Sequence, residues 1–295
     1  MISTNGKIKI VLVALACLLG LFYACATANG PRFITSREIS QKLDISDLTP
    51  IEAKRLEVVI NREVSPCGDA VTLAESLYNP EHCPLSPMAA RFVVEYLKED
   101  YNEDEISKAY VARYAAAKGI DIPLDGSPRA GSDKPVVTLV VFTDFQCPYC
   151  KMTAKKLLDL LRLYPDKIEV IHKNFPLSSH SGAELAARAA FAAHRQNKFW
   201  EMSETLFSAY GSELNRDRVS VMAVGLGLDV DQFDEDMASP AATEAIDADR
   251  KLGERLGVNA TPTIFINGRM LELGKGRLES RIDEEFLRSS IFNKR

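Results

Sequence analysis

Phe142-Thr143-Asp144-Phe145-Gln146-Cys147-Pro148-Tyr149-Cys150 is the stretch that decides the fold. An unbroken apolar run, residues 136–141, leads into it, and Met152, Leu157, Leu160, Leu161 and Tyr164 follow it at helical spacing. A strand therefore ends in Cys-x-x-Cys and turns straight into a helix. Cys147 falls in the first turn, where unpaired backbone N–H groups and the helix dipole favour a negative charge. Such a site favours the thiolate, the form of cysteine that reacts in disulfide exchange. The two-residue spacer sets Cys150 one helical turn away, close enough to close a disulfide or attack a mixed one. The pattern points to redox chemistry.

Three blander readings compete. Cys-x-x-Cys is also half of a zinc site, but a structural zinc needs two more ligands, and His172, His180 and His194 show no paired spacing. A purely structural disulfide between Cys147 and Cys150 would close so tight a loop that it restrains little of the unfolded chain. Two unrelated buried thiols are the third reading.

A second stretch supports the redox reading. Residues 258–268, Val-Asn-Ala-Thr-Pro-Thr-Ile-Phe-Ile-Asn-Gly, read as a loop, a strand and a hairpin turn at Asn267-Gly268. Together, TDFQCPYC, NFPL (174–177), QNKFW (196–200) and GVNATPTIFING (257–268) resemble the DsbA-like family of extracytoplasmic thiol:disulfide oxidoreductases, over about half the chain. The resemblance implies an α/β thioredoxin-like fold with a helical insertion near 180–257, and a cis-proline, Pro262, lying against the cysteine pair. It implies Cys147 as the residue that forms a mixed disulfide and Cys150 as the one that resolves it. Exchange needs an accessible sulfur, expected at Cys147. Thr261, freed by a following proline that donates no N–H, is expected to pair with an extended substrate. Phe145, Pro148 and Tyr149 are expected to offer it an apolar surface.

Many thioredoxin-like proteins carry a buried acid six residues before the first cysteine, and here that position is Val141. The proton acceptor for Cys150 is then unassigned, and Asp144 is expected to be exposed. His172 is expected to face outward from its strand, as a satisfied residue and not a base. His180 reads as a surface or helix-capping residue and Trp200 as core.

The chain has 295 residues, enough for two modest domains, and a formal net charge of -5, which argues against nucleic acid as a partner. Lys7 and Lys9 precede an apolar stretch, residues 10–23, followed by small residues, as in a secretory signal ending by residue 28. Cys25 is a candidate for lipidation, and an uncleaved anchor is an alternative. The expected location is extracytoplasmic, periplasmic or in the cell envelope. Of the six cysteines, Cys67, Cys83, Cys147 and Cys150 then remain, an even number for an oxidising compartment.

Residues 29–46 show no periodicity and read as a lead-in. Residues 45–119 read as a small all-α domain with little core. Thr49-Pro50 and Asn102 with Glu105 open helices. A third helix over 71–77 lies between Cys67 and Cys83. A bridge between those two would close a loop of about 16 residues, worth ~3 kcal/mol. A second redox relay, free thiols or a bridge to another chain are alternatives. Pro66-Cys67, Pro84-Leu85, residues 103–106 and Arg113-Tyr114 weakly resemble the thiol-reductases of cytochrome c maturation. Ala70 stands where their second cysteine would be, so that activity is not carried over. The helical module is a candidate docking or dimerisation arm. Residues 120–134, rich in Pro, Gly, Asp and Ser, read as a linker before the domain at 135–295.

The function expected from the resemblance is a disulfide-forming oxidase acting on unfolded or cysteine-containing secreted proteins. A membrane redox partner would recycle the pair, with no metal and no cofactor. Thr261 before the proline leaves a disulfide isomerase or reductase as the alternative. A non-catalytic chaperone or docking protein is a second one.

Overall fold

The computed structural model describes residues 32–81, 83–115, 119–271 and 278–292. The expected signal segment and Cys25 lie outside them. Among the described residues, no helix is long and apolar enough to cross a membrane. The chain divides into two compact units, Met1–Ala117 and Lys118–Arg295.

The first unit is helical, and its helix starts are written in the sequence. Helices α1 (Ser36–Ile39), α2 (Pro50–Arg62), α3 (Leu73–Tyr78) and α5 (Glu103–Tyr110) each open on a capping box, Thr35/Glu38, Thr49/Glu52, Thr72/Glu75 and Asn102/Glu105. Each box satisfies backbone N–H groups that the first turn leaves unpaired. Helix α4 (Ser86–Lys98) starts instead with Pro87 in its first turn. Helix α5 runs into a π-helical turn, Val111–Ala115, instead of continuing regularly towards Gly119. Leu56, Val59, Ile60, Leu73, Leu77, Phe92, Val93, Leu97 and Ile106 pack into one contiguous core, more than the sequence led us to expect. Ile34, Ile39 and Leu43 join that core, so part of the lead-in at 29–46 is ordered structure. A four-residue helix is too short to show a period, which is why the pattern is invisible there. Cys67 and Cys83 are joined by a disulfide across α3.

The second unit is built on a five-stranded sheet in the order β1-β3-β2-β4-β5, with β1 Arg129–Gly131, β2 Val137–Thr143, β3 Ile168–Asn174, β4 Thr263–Ile266 and β5 Arg269–Leu271. Strand β2 is central, parallel to β3 and antiparallel to β4. Its side chains alternate between two cores. Val137, Leu139 and Val141 meet Leu157 and Leu160 of α6 (Pro148–Leu163) and Ile282 of α12 (Leu278–Phe292) on one face. Val140 and Phe142 meet Phe175, Phe265 and Leu252 on the other. A sheet covered on both faces explains the unbroken apolar run.

Residues 120–134 are not simply a linker. Ile120 N–H donates to the Gly268 carbonyl at 2.9 Å, Ile122 is buried, and β1 pairs antiparallel with β3 as an edge strand. A three-residue strand among turn-forming residues carries no alternation to read.

Between β3 and β4 lie five helices, α7 (Ala183–Arg195), α8 (Phe199–Ser208), α9 (Arg216–Gly225), α10 (Val230–Ala238) and α11 (Pro240–Arg255). Ala186, Ala189, Ala190 and Ala193 let α7 pack closely against Phe199, Met202, Leu206 and Phe233. Helix α11 reaches the sheet through Gly253, where a Cβ would come within 2.8 Å of the Phe175 ring.

Candidate active site

Antiparallel pairing of Phe142 with Thr263 sets the geometry of the site. The chain leaving the end of β2 must lie beside the chain arriving at β4, which brings Cys147 to Thr261. The Thr261–Pro262 peptide bond is cis. Cys147 is the N-cap residue of α6, with φ -91° and ψ 125°, and its side chain does not cap the helix. Its sulfur is instead free to donate to the Thr261 carbonyl oxygen at 3.3 Å. Pro148 occupies the first turn, where a missing N–H costs nothing. Cys147 and Cys150 are both free thiols.

Cys150 is 1% exposed, and burial pushes its thiol up to about 12, with the negative charge of an ionised Cys147 adding to the effect. Three groups close to the sulfur pull the other way, the Thr143 hydroxyl, the Thr261 hydroxyl, which lies outside hydrogen-bond geometry, and the Asp144 N–H, which points at the sulfur from 3.5 Å. A cavity of about 460 Å³ lies behind Cys150, lined by Val141, Thr143, His172, Trp200 and Ser203 among others. Two polar atoms next to the pair, Thr261 Oγ1 and Gln146 Nε2, are buried without a hydrogen-bond partner.

Cys147, Cys150 and Thr261 thus converge, with the cis bond to Pro262 directly after Thr261, while several other expectations change. Cys147 is only 4% exposed, because it packs into the core shared with the helical insertion. Pro148 and Tyr149 are exposed, the latter at 67%, but Phe145 is buried and belongs to that same core. Its ring stacks on His172 at 5.4 Å and touches Phe207 at 5.0 Å, so it holds the turn and does not present a surface to substrate. His172 is buried too, since the face it points to is covered by Phe145 and Phe199. Burial lowers its pKa to about 4, against the opposing hydrogen bond to Asn174 at 3.1 Å. Trp200 is part-buried and donates to the Arg129 carbonyl at 3.0 Å.

The largest correction is Asp144, which is buried and not exposed. Its carboxylate accepts from the N–H of Gln146 at 2.7 Å, the N–H of Leu177 at 2.9 Å and Nδ1 of His180 at 2.7 Å. His180 therefore belongs to the site. The local signal was an aspartate two residues before Gln146, the spacing of an Asx turn. Among the described residues, no cluster of three or more His, Cys, Asp or Glu could hold a metal ion.

Residues 124–284 match the thioredoxin family. This chain is a member of that family. Among solved structures, BdbD from Bacillus subtilis aligns with 59% of this chain and 98% of its own, at 20% identity and a TM-score of 0.51. The thiol-disulfide exchange protein alpha-DsbA2 from Wolbachia pipientis aligns with 62% of this chain and 97% of its own, at 23% identity and a TM-score of 0.50. These two likenesses show a shared thioredoxin-like fold. The Na(+)/H(+) antiporter NhaA 1 of Mycolicibacterium vanbaalenii is 36% identical over 143 residues, 48% of this chain. The chain spans 23% of that relative's length, less than a quarter.

Proposed function

We propose that this thioredoxin-family protein is an extracytoplasmic thiol:disulfide oxidoreductase, and that it runs as a disulfide-forming oxidase on cysteine-containing secreted proteins. One observation carries the reading: a free Cys147 at the start of α6 faces the Thr261 carbonyl, with the free, buried Cys150 one turn behind it. In the oxidised enzyme a substrate thiolate attacks Cys147 Sγ, and the Cys147–Cys150 bond breaks with the electron pair passing to Cys150. A second substrate thiolate then attacks the mixed disulfide and releases Cys147. The substrate loses two electrons and gains a disulfide, and the enzyme pair becomes a dithiol. A membrane redox partner would reoxidise it.

The two steps ask different things of the two sulfurs. Cys147 must leave as a thiolate, and the N-terminus of α6 is where a helix favours negative charge. Cys150, in a site that burial makes hostile to charge, ends as a neutral thiol and draws a proton as it does so. An isomerase or reductase is the second reading, favoured by Thr261 in front of the proline.

The direction of electron flow is tested by the reduction potential of the pair against glutathione. A value towards about -120 mV supports the oxidase, and one near about -270 mV overturns it in favour of a reductase. Cys147→Ser should abolish disulfide formation in a reduced model protein. A variant that still catalysed it would remove the redox reading altogether.

A further inference from the structure

One buried carboxylate ties the turn before Cys147 to the loop that follows β3. Asp144 receives the N–H of Gln146, the N–H of Leu177 and Nδ1 of His180. Its own backbone faces the sulfurs. The Asp144 N–H donates to Cys150 Sγ at 3.5 Å, and its carbonyl accepts the Cys147 N–H at 3.1 Å. A single residue thus touches Cys150, supports Cys147 and grips a histidine 36 positions further along the chain. The fit extends to Gly182, where a Cβ would stand 3.4 Å from Gln146 Cδ.

A carboxylate with no exposed side-chain surface is tolerated only when its acceptors are used. With the side chain held this way, the Asp144 backbone N–H stays on Cys150 Sγ and its carbonyl on the Cys147 N–H, so a shift of this turn moves both sulfurs. The His180 side chain keeps 27% of its surface exposed, so the ring can be altered without opening the core. Because Nδ1 points at Asp144, the donor role does not depend on a charged imidazole.

We propose that the Asp144–His180 hydrogen bond is a positioning device for the Cys147–Cys150 pair, fixing the redox turn whose backbone contacts Cys150 Sγ and the Cys147 N–H. The inference rests on the redox reading of that pair. It assigns His180 an effect on the exchange equilibrium without contact with substrate.

The test is the equilibrium of the full chain with glutathione, in which two glutathione thiols give two electrons and two protons to the Cys147–Cys150 disulfide and leave as one glutathione disulfide. In His180→Ala the turn is released, the Asp144 N–H on Cys150 Sγ loosens and the reduced pair is less favoured, so the equilibrium should move about tenfold towards the disulfide, or about 30 mV for a two-electron couple. His180→Asn places an amide donor near the Nδ1 position and should bring the constant back within about twofold of wild type. A His180→Ala constant within twofold of wild type overturns the inference, whatever happens to Tm. So does a folded His180→Asn that fails to restore it. A wild-type protein that never exchanges with glutathione overturns the redox reading and this inference with it, whereas a wild type that exchanges alongside an indifferent His180→Ala overturns only the inference.

Discussion

The sulfur of Cys147 sits 3.3 Å from the carbonyl oxygen of Thr261, although 114 residues separate them in the chain. Cys150, three residues on, is 1% exposed, and burial pushes its thiol up to about 12. The two cysteines should therefore differ sharply towards an alkylating agent, since only the thiolate reacts. At pH 8, iodoacetamide should label Cys147 of the reduced protein at least about a hundredfold faster than Cys150, because a thiol near 12 is on the order of 0.01% ionised there. Peptide mapping over a time course reads the ratio. Equal labelling would mean that the burial of Cys150 does not survive in solution.

Thr261 has a hydroxyl that is buried and unpartnered while Cys150 is a neutral thiol. A buried polar atom left without a hydrogen bond costs about 1–3 kcal/mol. Thr261→Val keeps the shape and removes that atom, so the reduced protein should gain roughly 1 kcal/mol of stability. The same change takes away one of the groups that favour a Cys150 thiolate. Thermal melts of the reduced protein check the gain. A loss of stability would place an ordered water or a substrate-like partner on that hydroxyl.

The central strand, the active-site helix and the Asn267-Gly268 hairpin were legible because each carries a period or a turn residue with a mechanism. Asn267 at φ 48° and Gly268 at φ 75° form the left-handed pair that such a turn demands. The cysteine pair and Pro262 were legible through motif order. Asp144 was not, because a polar residue in a loop reads as solvated, whereas its partners come from Leu177 and His180 across the fold. Phe145 was misread for a related reason. An aromatic beside a reactive cysteine suggests a contact surface, but the helical insertion supplies Phe207 to cover it. Local sequence reports what an element wants to bury and says little about which distant element arrives to do so.

The helical unit carries a disulfide between Cys67 and Cys83, 16 residues apart. Closing a loop of that length restricts the unfolded chain by ~3 kcal/mol in the chain-entropy model. A Cys67→Ala/Cys83→Ala double variant should lower the stability of this unit by about that amount. It should leave glutathione exchange at Cys147 and Cys150 unchanged. Urea titration followed by circular dichroism measures the first, and the exchange assay the second. A shift in the exchange constant would show that the Cys67–Cys83 pair takes part in electron transfer.

His172 makes the second unit sensitive to acid. Burial lowers its pKa to about 4, whereas in the unfolded chain a histidine titrates near 6.5. Between those values the unfolded state binds a proton that the folded state refuses, so stability falls as pH drops from about 6.5 to about 4. The hydrogen bond that His172 Nε2 makes to Asn174 Oδ1 and the charge of Asp249 oppose this but do not reverse it, and Lys173 and His194 reinforce it. His172→Gln keeps a polar group within reach of Asn174 and cannot titrate, so its stability curve should be flatter across that interval. The measurement is the unfolding free energy of both proteins at pH 7, 6, 5 and 4. Parallel curves would mean that the imidazole is protonated in the folded state, where the Phe145 ring stacked on it and the tilted Phe199 ring leave little room for solvent.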